Sequence, residues 1–227
     1  MNKTVKTAAR SVLDALTHLG LVDTAIVVLV GSGARDTMNV RSDVDILVLH
    51  DQSRRIHIKC PGDVHVQQDI RSNFLKRLEA GDDYPGWALR FGVPIRDPDG
   101  WWATHVGAEL DNPHWPNWRT KVCHARKRIG MAMELLEVGD VDAATEELMF
   151  AASHVARAAL LQHGVFPLSR PELPSQLQTI DPDLARLLTG LIDGEVDASC
   201  LRYEGSFLER KIESWNRDLN YVREAVV

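Results

Sequence analysis

The sequence predicts an α+β protein: a small α/β domain over roughly residues 1–112, followed by an all-α helical bundle over 113–227. Three observations lead there. The first half alternates helical periodicity with short β-branched runs. "DNPHWPNWRT" (111–120) holds two prolines where period 2 gives way to period 3.6. Beyond it there is long helical patterning and no convincing strand.

The elements follow in order. Val5, Ala9, Val12, Leu16 and Leu19 recur at three or four residues, so residues 4–19 form an amphipathic helix that Gly20 stops. "AIVVLV" is a buried strand. A glycine turn leads to "VDILVL", a second strand. "DVHVQQ" is a third, with Val64 and Val66 on one face and Asp63, His65 and Gln67 on the other. Ser72 caps a helix reaching Glu79, and another short helix covers Tyr84 to Phe91. "GVPIRDPDGWWATH" reads as a strand or turn and then a loop. Helices are expected at about 117–138, 141–163, 183–193 and 206–224, with Gly139 and Gly164 as stops and Asp181-Pro182 as a cap pair. "FPLSRPELPSQL" reads as an ordered loop.

Composition sets the class. The chain has 227 residues, 44% hydrophobic and 26% charged, and a net charge of −6. That balance argues against a surface coated with basic residues for bulk nucleic-acid binding. No window approaches 18 continuous apolar residues, so no membrane partner is expected. The start carries no signal-peptide pattern. Cys60, Cys123 and Cys200 are far apart and show no metal spacing; reduced thiols in a cytoplasmic protein are expected. A homodimer is compatible with this composition.

The chemistry concentrates in "VGSGARDTMNVRSDVDILVLH" (30–50). On a strand, Asp43 and Asp45 present two carboxylates on one face, while Val44 and Ile46 face the core. Two like charges this close call for a cation, and Mg²⁺ takes one or two carboxylates together with substrate phosphates. Gly31 and Gly33 let backbone N–H groups approach a phosphate, and Ser32 adds a hydroxyl.

Gly31-Ser32, Ala34-Arg35 and Ser42-Asp43-Val44-Asp45 resemble the signature of the DNA polymerase β-type nucleotidyltransferase superfamily: helix, strand, Gly-Ser, spacer, then Asp-x-Asp on the next strand. The likeness covers residues 5–100 strongly. It extends more loosely to the C-terminal half, similar to the bundles of kanamycin nucleotidyltransferase or HEPN type fused to minimal nucleotidyltransferases. The resemblance implies a small mixed β-sheet with helices, and transfer of a nucleoside monophosphate to a hydroxyl acceptor with release of pyrophosphate. ATP is the favoured donor, and a small molecule, a protein or a tRNA is the acceptor. It implies two Mg²⁺ ions, with Mn²⁺ able to substitute, held by Asp43, Asp45 and a third carboxylate on the neighbouring strand. Gly31, Ser32, Gly33, Arg35, Ser42 and Lys121 are the candidate nucleotide-binding residues.

At the third carboxylate the pattern departs. The centred residue of "DVHVQQD" is His65. Three readings stand: Asp63 serves as the third ligand, His65 replaces it as base or ligand, or the site is degenerate and binds nucleotide without turnover. Asp69 shares the face but is placed past the strand. Trp87 and Trp101-Trp102 are either base-stacking or core residues. The basic run 119–128 is either a solvated face or a phosphate contact. Within it, Arg119 and His124 have the Arg-x4-His spacing of HEPN ribonucleases, a match short enough to arise by chance. Acceptors range from an aminoglycoside-like small molecule to the protein or tRNA targets of toxin–antitoxin systems.

Overall fold

The computed structural model describes residues 3–38, 42–52, 56–60 and 64–224. The chain divides into two compact units, 1–116 and 117–227.

The first unit is built on a four-stranded sheet of β1 (Ile26–Val30), β2 (Val44–His50), β3 (Val64–Ile70) and β4 (Val93–Arg96), ordered β3-β2-β1-β4. β1 runs antiparallel to β2 and β4, while β2 and β3 are parallel, so the sheet is mixed as expected. Both faces are covered, which is why "IVVLV" is buried along its whole length rather than alternating. Helix α1 (Lys3–His18) lays Val5, Ala8, Val12 and Leu16 on Val27, Leu29, Val44, Ile46 and Val48. Leu19 lies past the helix end and is exposed, contrary to its place in the expected stripe. The opposite face, with Ile26, Val28, Val30, Leu47 and Leu49, packs on Phe74, Leu78, Leu89 and Trp102. These come from α3 (Arg71–Glu79), α4 (Asp83–Phe91) and α5 (Trp101–Asp111), in chain order after the one-turn helix α2 (Gly31–Ala34).

Three local expectations need correction. Residues 101–105, read as part of a loop, begin a helix that runs to Asp111. Asp97 sets the turn before them by accepting from Trp102 N and Ala103 N, both at 3.1 Å, and Trp102 anchors the helix in the core. The prolines and glycines upstream masked that signal. Ser72 does not cap α3; Ile70 precedes its first residue, and the nearby carboxylate of Asp69 organises the turn instead. The Pro-rich 166–177 stretch is a short 3₁₀ turn (170–172) and a helix, α8 (Leu173–Leu177). Ser169 and Glu172 form a reciprocal capping box there, and Gln176 donates to Phe166 O (3.0 Å) and accepts from Leu168 N (2.8 Å), which closes the loop.

The second unit is helical: α6 (Trp118–Glu137), α7 (Val141–Gln162), α8, α9 (Pro182–Asp193) and α10 (Leu201–Glu224). Asn117, Asp140 and Asp181 cap α6, α7 and α9 by accepting from Arg119 N, Ala143 N and Leu184 N. Helix α10 starts earlier than expected, straight after the 3₁₀ turn at 198–200. Helix α7 is alanine-rich and buried on most of its surface, so it forms the centre of the unit. Among the described residues no helix is long and apolar enough to cross a membrane.

Leu148 sits at 0% exposure at that centre. Leu148→Ala should destabilise the protein by about 2–5 kcal/mol, read as a lowered urea midpoint with an unchanged slope.

Candidate active site

The site begins with strand register. Val30, the last residue of β1, pairs with Asp45 on β2. The next residue, Gly31, has φ +67, which turns the chain back over that pair. The approach is close: a Cβ at Gly31 would lie 2.2 Å from Asp45 Oδ2. Gly31 is thus required twice, for its backbone angle and for the space the carboxylate occupies. Ser32 O accepts from Arg35 N (3.3 Å) and Thr37 N (3.1 Å), which winds residues 31–34 into a single turn. Gly33 is close-packed as well: the space a Cβ would take is bounded by Leu29 Cδ1 (3.2 Å) and Met38 Sδ (3.3 Å), so its bareness also serves packing.

On the other side of Asp45, β3 pairs in parallel, and His65 stands directly beside Asp45 in register. His65 Nδ1 lies 3.2 Å from Asp45 Oδ1, and the imidazole is exposed. In the tautomer that donates from Nδ1, Nε2 carries a free lone pair. Asp45 is therefore held between a glycine turn and an imidazole. Burial raises its carboxyl pKa, the charge of Asp43 adds to this, and His65 opposes both. Asp43 is exposed just ahead of β2, and Ser42 precedes it. Asp43 therefore lies ahead of the strand rather than on it, and its charge acts on Asp45 from there.

This donor set fits a divalent cation bound with a substrate. Two carboxylates supply oxygen ligands and negative charge, and glycines at 31 and 33 put no side chain between their backbone N–H groups and a phosphate. Among the described residues no group of three His, Cys, Asp or Glu side chains is placed to hold a metal. Asp63, the expected third ligand, lies outside the described residues.

Asp69 is within β3, not past it, and is opposite Leu49. Its carboxylate is committed elsewhere. Oδ1 accepts from Ile70 N (2.8 Å) and Asn73 Nδ2 (2.6 Å), and Oδ2 from Arg77 Nη1 (2.9 Å). It is also four residues from His65, about 13 Å along the strand. It therefore anchors α3 and does not complete the carboxylate pair.

Arg35 stacks on α4, with its guanidinium carbon 5.8 Å from the Trp87 ring centroid and 5.4 Å from that of Phe91. Trp87 is thereby a packing partner of Phe91 and Arg35, and Trp102 is core. Trp101 stacks on His105 with ring centroids 3.8 Å apart. Tyr84 was not legible as a site residue. Its hydroxyl is buried with no hydrogen-bond partner, and burial together with the charges of Asp45 and Asp69 pushes its pKa well above the usual phenol range. An aromatic at a helix start carries no such signal in sequence. Lys121 belongs to the second unit, buried on α6.

Residues 9–91 match the family model described as "Nucleotidyltransferase domain", a stretch that contains Gly31, Asp43, Asp45 and His65. No curated protein matches the chain. Among solved structures, the chain is similar in fold to a nucleotidyltransferase-like protein from Exiguobacterium sibiricum 255-15, with a TM-score of 0.50 and 16% identity over 91% of this chain and 74% of that one. The domain match supports nucleotidyl transfer as the chemistry of the first unit.

Two outcomes test this geometry. Gly31→Ala forces a Cβ into the Asp45 carboxylate at an unfavourable φ and should lower stability by about 1–3 kcal/mol, measured by chemical denaturation. Asp45 should also shape the pH profile. Its folded pKa lies above its unfolded value, so the folded state binds the extra proton. Stability from this group is present at low pH and falls as pH rises from the ordinary carboxylate range through the raised value. In EDTA at pH 7, Asp45→Asn should thus be more stable than the natural protein, and the difference should disappear below the ordinary aspartate pKa.

Proposed function

We propose that this protein is a nucleotidyltransferase that moves a nucleoside monophosphate, AMP from ATP in the favoured case, to a hydroxyl acceptor and releases pyrophosphate. The observation that carries the reading is the Gly31 turn seated on the Asp45 carboxylate. It sets a backbone fit for phosphate against a carboxylate pair fit for a cation. The match of residues 9–91 supports the same chemistry.

The roles follow from the chain's own groups. Asp43 and Asp45 hold Mg²⁺, or Mn²⁺ in its place. The cation, when bound, neutralises the triphosphate and polarises the α-phosphorus. Gly31, Ser32 and Gly33 hold the β- and γ-phosphates through backbone N–H groups and the Ser32 hydroxyl, and Arg35 and Ser42 flank them. Asp63 is the third carboxylate of the proposal and takes the proton of the acceptor hydroxyl. The hydroxyl oxygen then bonds to the α-phosphorus, and the bond to the bridging oxygen of pyrophosphate breaks. His65 fixes the orientation of Asp45 through its Nδ1 contact. The helical unit is read as a bundle of kanamycin nucleotidyltransferase or HEPN-like type, and the acceptor as a small molecule, a protein or a tRNA.

A second reading has its own observation. An imidazole, not a carboxylate, stands beside Asp45 in register, which favours a degenerate domain that binds nucleotide without turnover.

Labelled ATP, CTP, GTP and UTP, each with Mg²⁺ or Mn²⁺, are to be incubated with an aminoglycoside panel, cell lysate and total RNA. Label transfer from ATP is expected, falling by at least about 100-fold in Asp45→Asn. Asp63→Asn should lower transfer comparably if Asp63 completes the site; loss in His65→Asn alone would move that role to His65. Transfer that survives Asp45→Asn would overturn the reading, and nucleotide binding without transfer would establish the degenerate one.

A further inference from the structure

The two edges of the first unit's sheet are built differently. β4 closes one edge and is guarded: it has four residues, carries Pro94, ends on Arg96, and meets β1 through a register shift at Val27/Val28. β3 closes the other edge and has none of these devices. It runs seven residues without proline, lysine or arginine, and pairs with β2 in unbroken register from Val44↔Val64 to His50↔Ile70. Among the described residues it pairs with β2 alone. Alternate N–H and C=O groups therefore face away from the sheet along its whole length. None of its seven residues is fully buried, whereas all five of β1 are. A regular, unguarded edge of this length is a template for another strand.

The residues of β3 suit pairing with a second β3. Laid antiparallel about a two-fold axis at Gln67, Val64 stands opposite Ile70, His65 opposite Asp69, Val66 opposite Gln68, and Gln67 opposite its own copy. Alternation keeps the two faces separate. On the face that holds Asp45, an imidazole meets a carboxylate twice and an amide meets an amide at the axis. No like charges face each other there. Asp69 has room for this: it accepts three hydrogen bonds within its own chain, and a carboxylate takes about four. On the other face Val64 and Val66 are only half-buried, and with Ile58 and Cys60 they border a cleft of about 760 Å³. The pairing sets Ile70 and Gln68 of the second copy against these two valines.

We propose that the outer edge of β3 is a self-association surface, on which two copies of this chain pair their β3 strands antiparallel about Gln67 and join their sheets. A seven-residue strand pair lies at the low end of interface sizes, so the dimer is reversible and depends on concentration. The pairing also reaches the candidate site. Within one chain Asp69 lies four residues along the strand from His65. In the pair, Asp69 of the second copy stands level with His65 and, through it, with Asp45. His65 is then held between two carboxylates in one row across the joined sheets. The surface rests on strand geometry and does not depend on nucleotidyl transfer by the first unit.

The test uses the full chain. Sedimentation velocity from micromolar to near-millimolar protein should show a reversible monomer–dimer equilibrium. Gln67→Lys and Gln67→Glu each set like charges together at the axis and should raise the dissociation constant by about tenfold or more. An equal mixture of the two should regain dimer as the mixed pair. Circular dichroism checks that each variant is folded. Cross-linking then tests the register, in a chain carrying Cys60→Ser, Cys123→Ser and Cys200→Ser. There Gln67→Cys should form an intermolecular disulfide under mild oxidation, because directly opposed residues of antiparallel strands lie about 4.5–5.5 Å apart, within disulfide reach. Val64→Cys should not, because its two copies lie about 20 Å apart along the strands. A chain that stays monomeric over the whole range overturns the proposal and leaves the edge to an extended segment of another protein. A dimer unchanged in both charge variants, or one not regained in their mixture, also overturns it. So does cross-linking as strong in Val64→Cys as in Gln67→Cys.

Discussion

The first unit depends on one register: Val30 of β1 against Asp45 of β2. Antiparallel pairing fixes which β1 residue faces which β2 residue, and a slip by one would turn the Asp45 carboxylate to the α1 side of the sheet, among Val27, Leu29 and Ile46. The register is secured by burial on both faces. It places the left-handed Gly31 turn over a carboxylate and leaves that carboxylate half-buried beside a second negative charge. The unfavourable proximity is stored by the sheet, whose core more than offsets it. The site is a local electrostatic conflict maintained by packing that is remote from it.

The same sheet explains why the third position is decided by β3 rather than by the turn. Parallel neighbours in register share a face, so β3 presents His65, Gln67 and Asp69 on the side that holds Asp45. Of these only His65 is level with the pair. Asp69 has the right chemistry, but three hydrogen-bond donors consume it in starting α3. Proximity to the pair and freedom from other duties are separate requirements, and in this stretch they fall on different residues.

Much of the first unit was legible because its signals are local. β-branched runs, an alternating strand and the Gly-Ser turn with Asp-x-Asp each depend on neighbours within a few residues. The helical second half was readable on that basis, while the mixed sheet was what the family resemblance implied. What escaped needed distant partners. The capping box of Ser169 and Glu172 was written in the sequence as S-x-x-E but was outweighed by the prolines around it. Helix 101–111 was hidden because Trp102 belongs to a core shared with Phe74 and Val28. Tyr84 and the partners of Asp69 could not be read at all, because they are set by how α3 and α4 lie on the sheet. His124 and His154 become neighbours only once α6 folds back on α7, which no local pattern encodes.

The place of His65 has an evolutionary meaning. Its backbone already sits level with Asp45, on the correct face and at the exposed end of β3. A histidine codon becomes an aspartate codon by a single nucleotide change. The scaffold therefore lies one mutational step from a carboxylate at that register, with no insertion, strand shift or new turn required. A lineage could cross between an imidazole and a carboxylate at this position in either direction while keeping its fold, so divergence in what the site does need not leave any trace in the architecture around it.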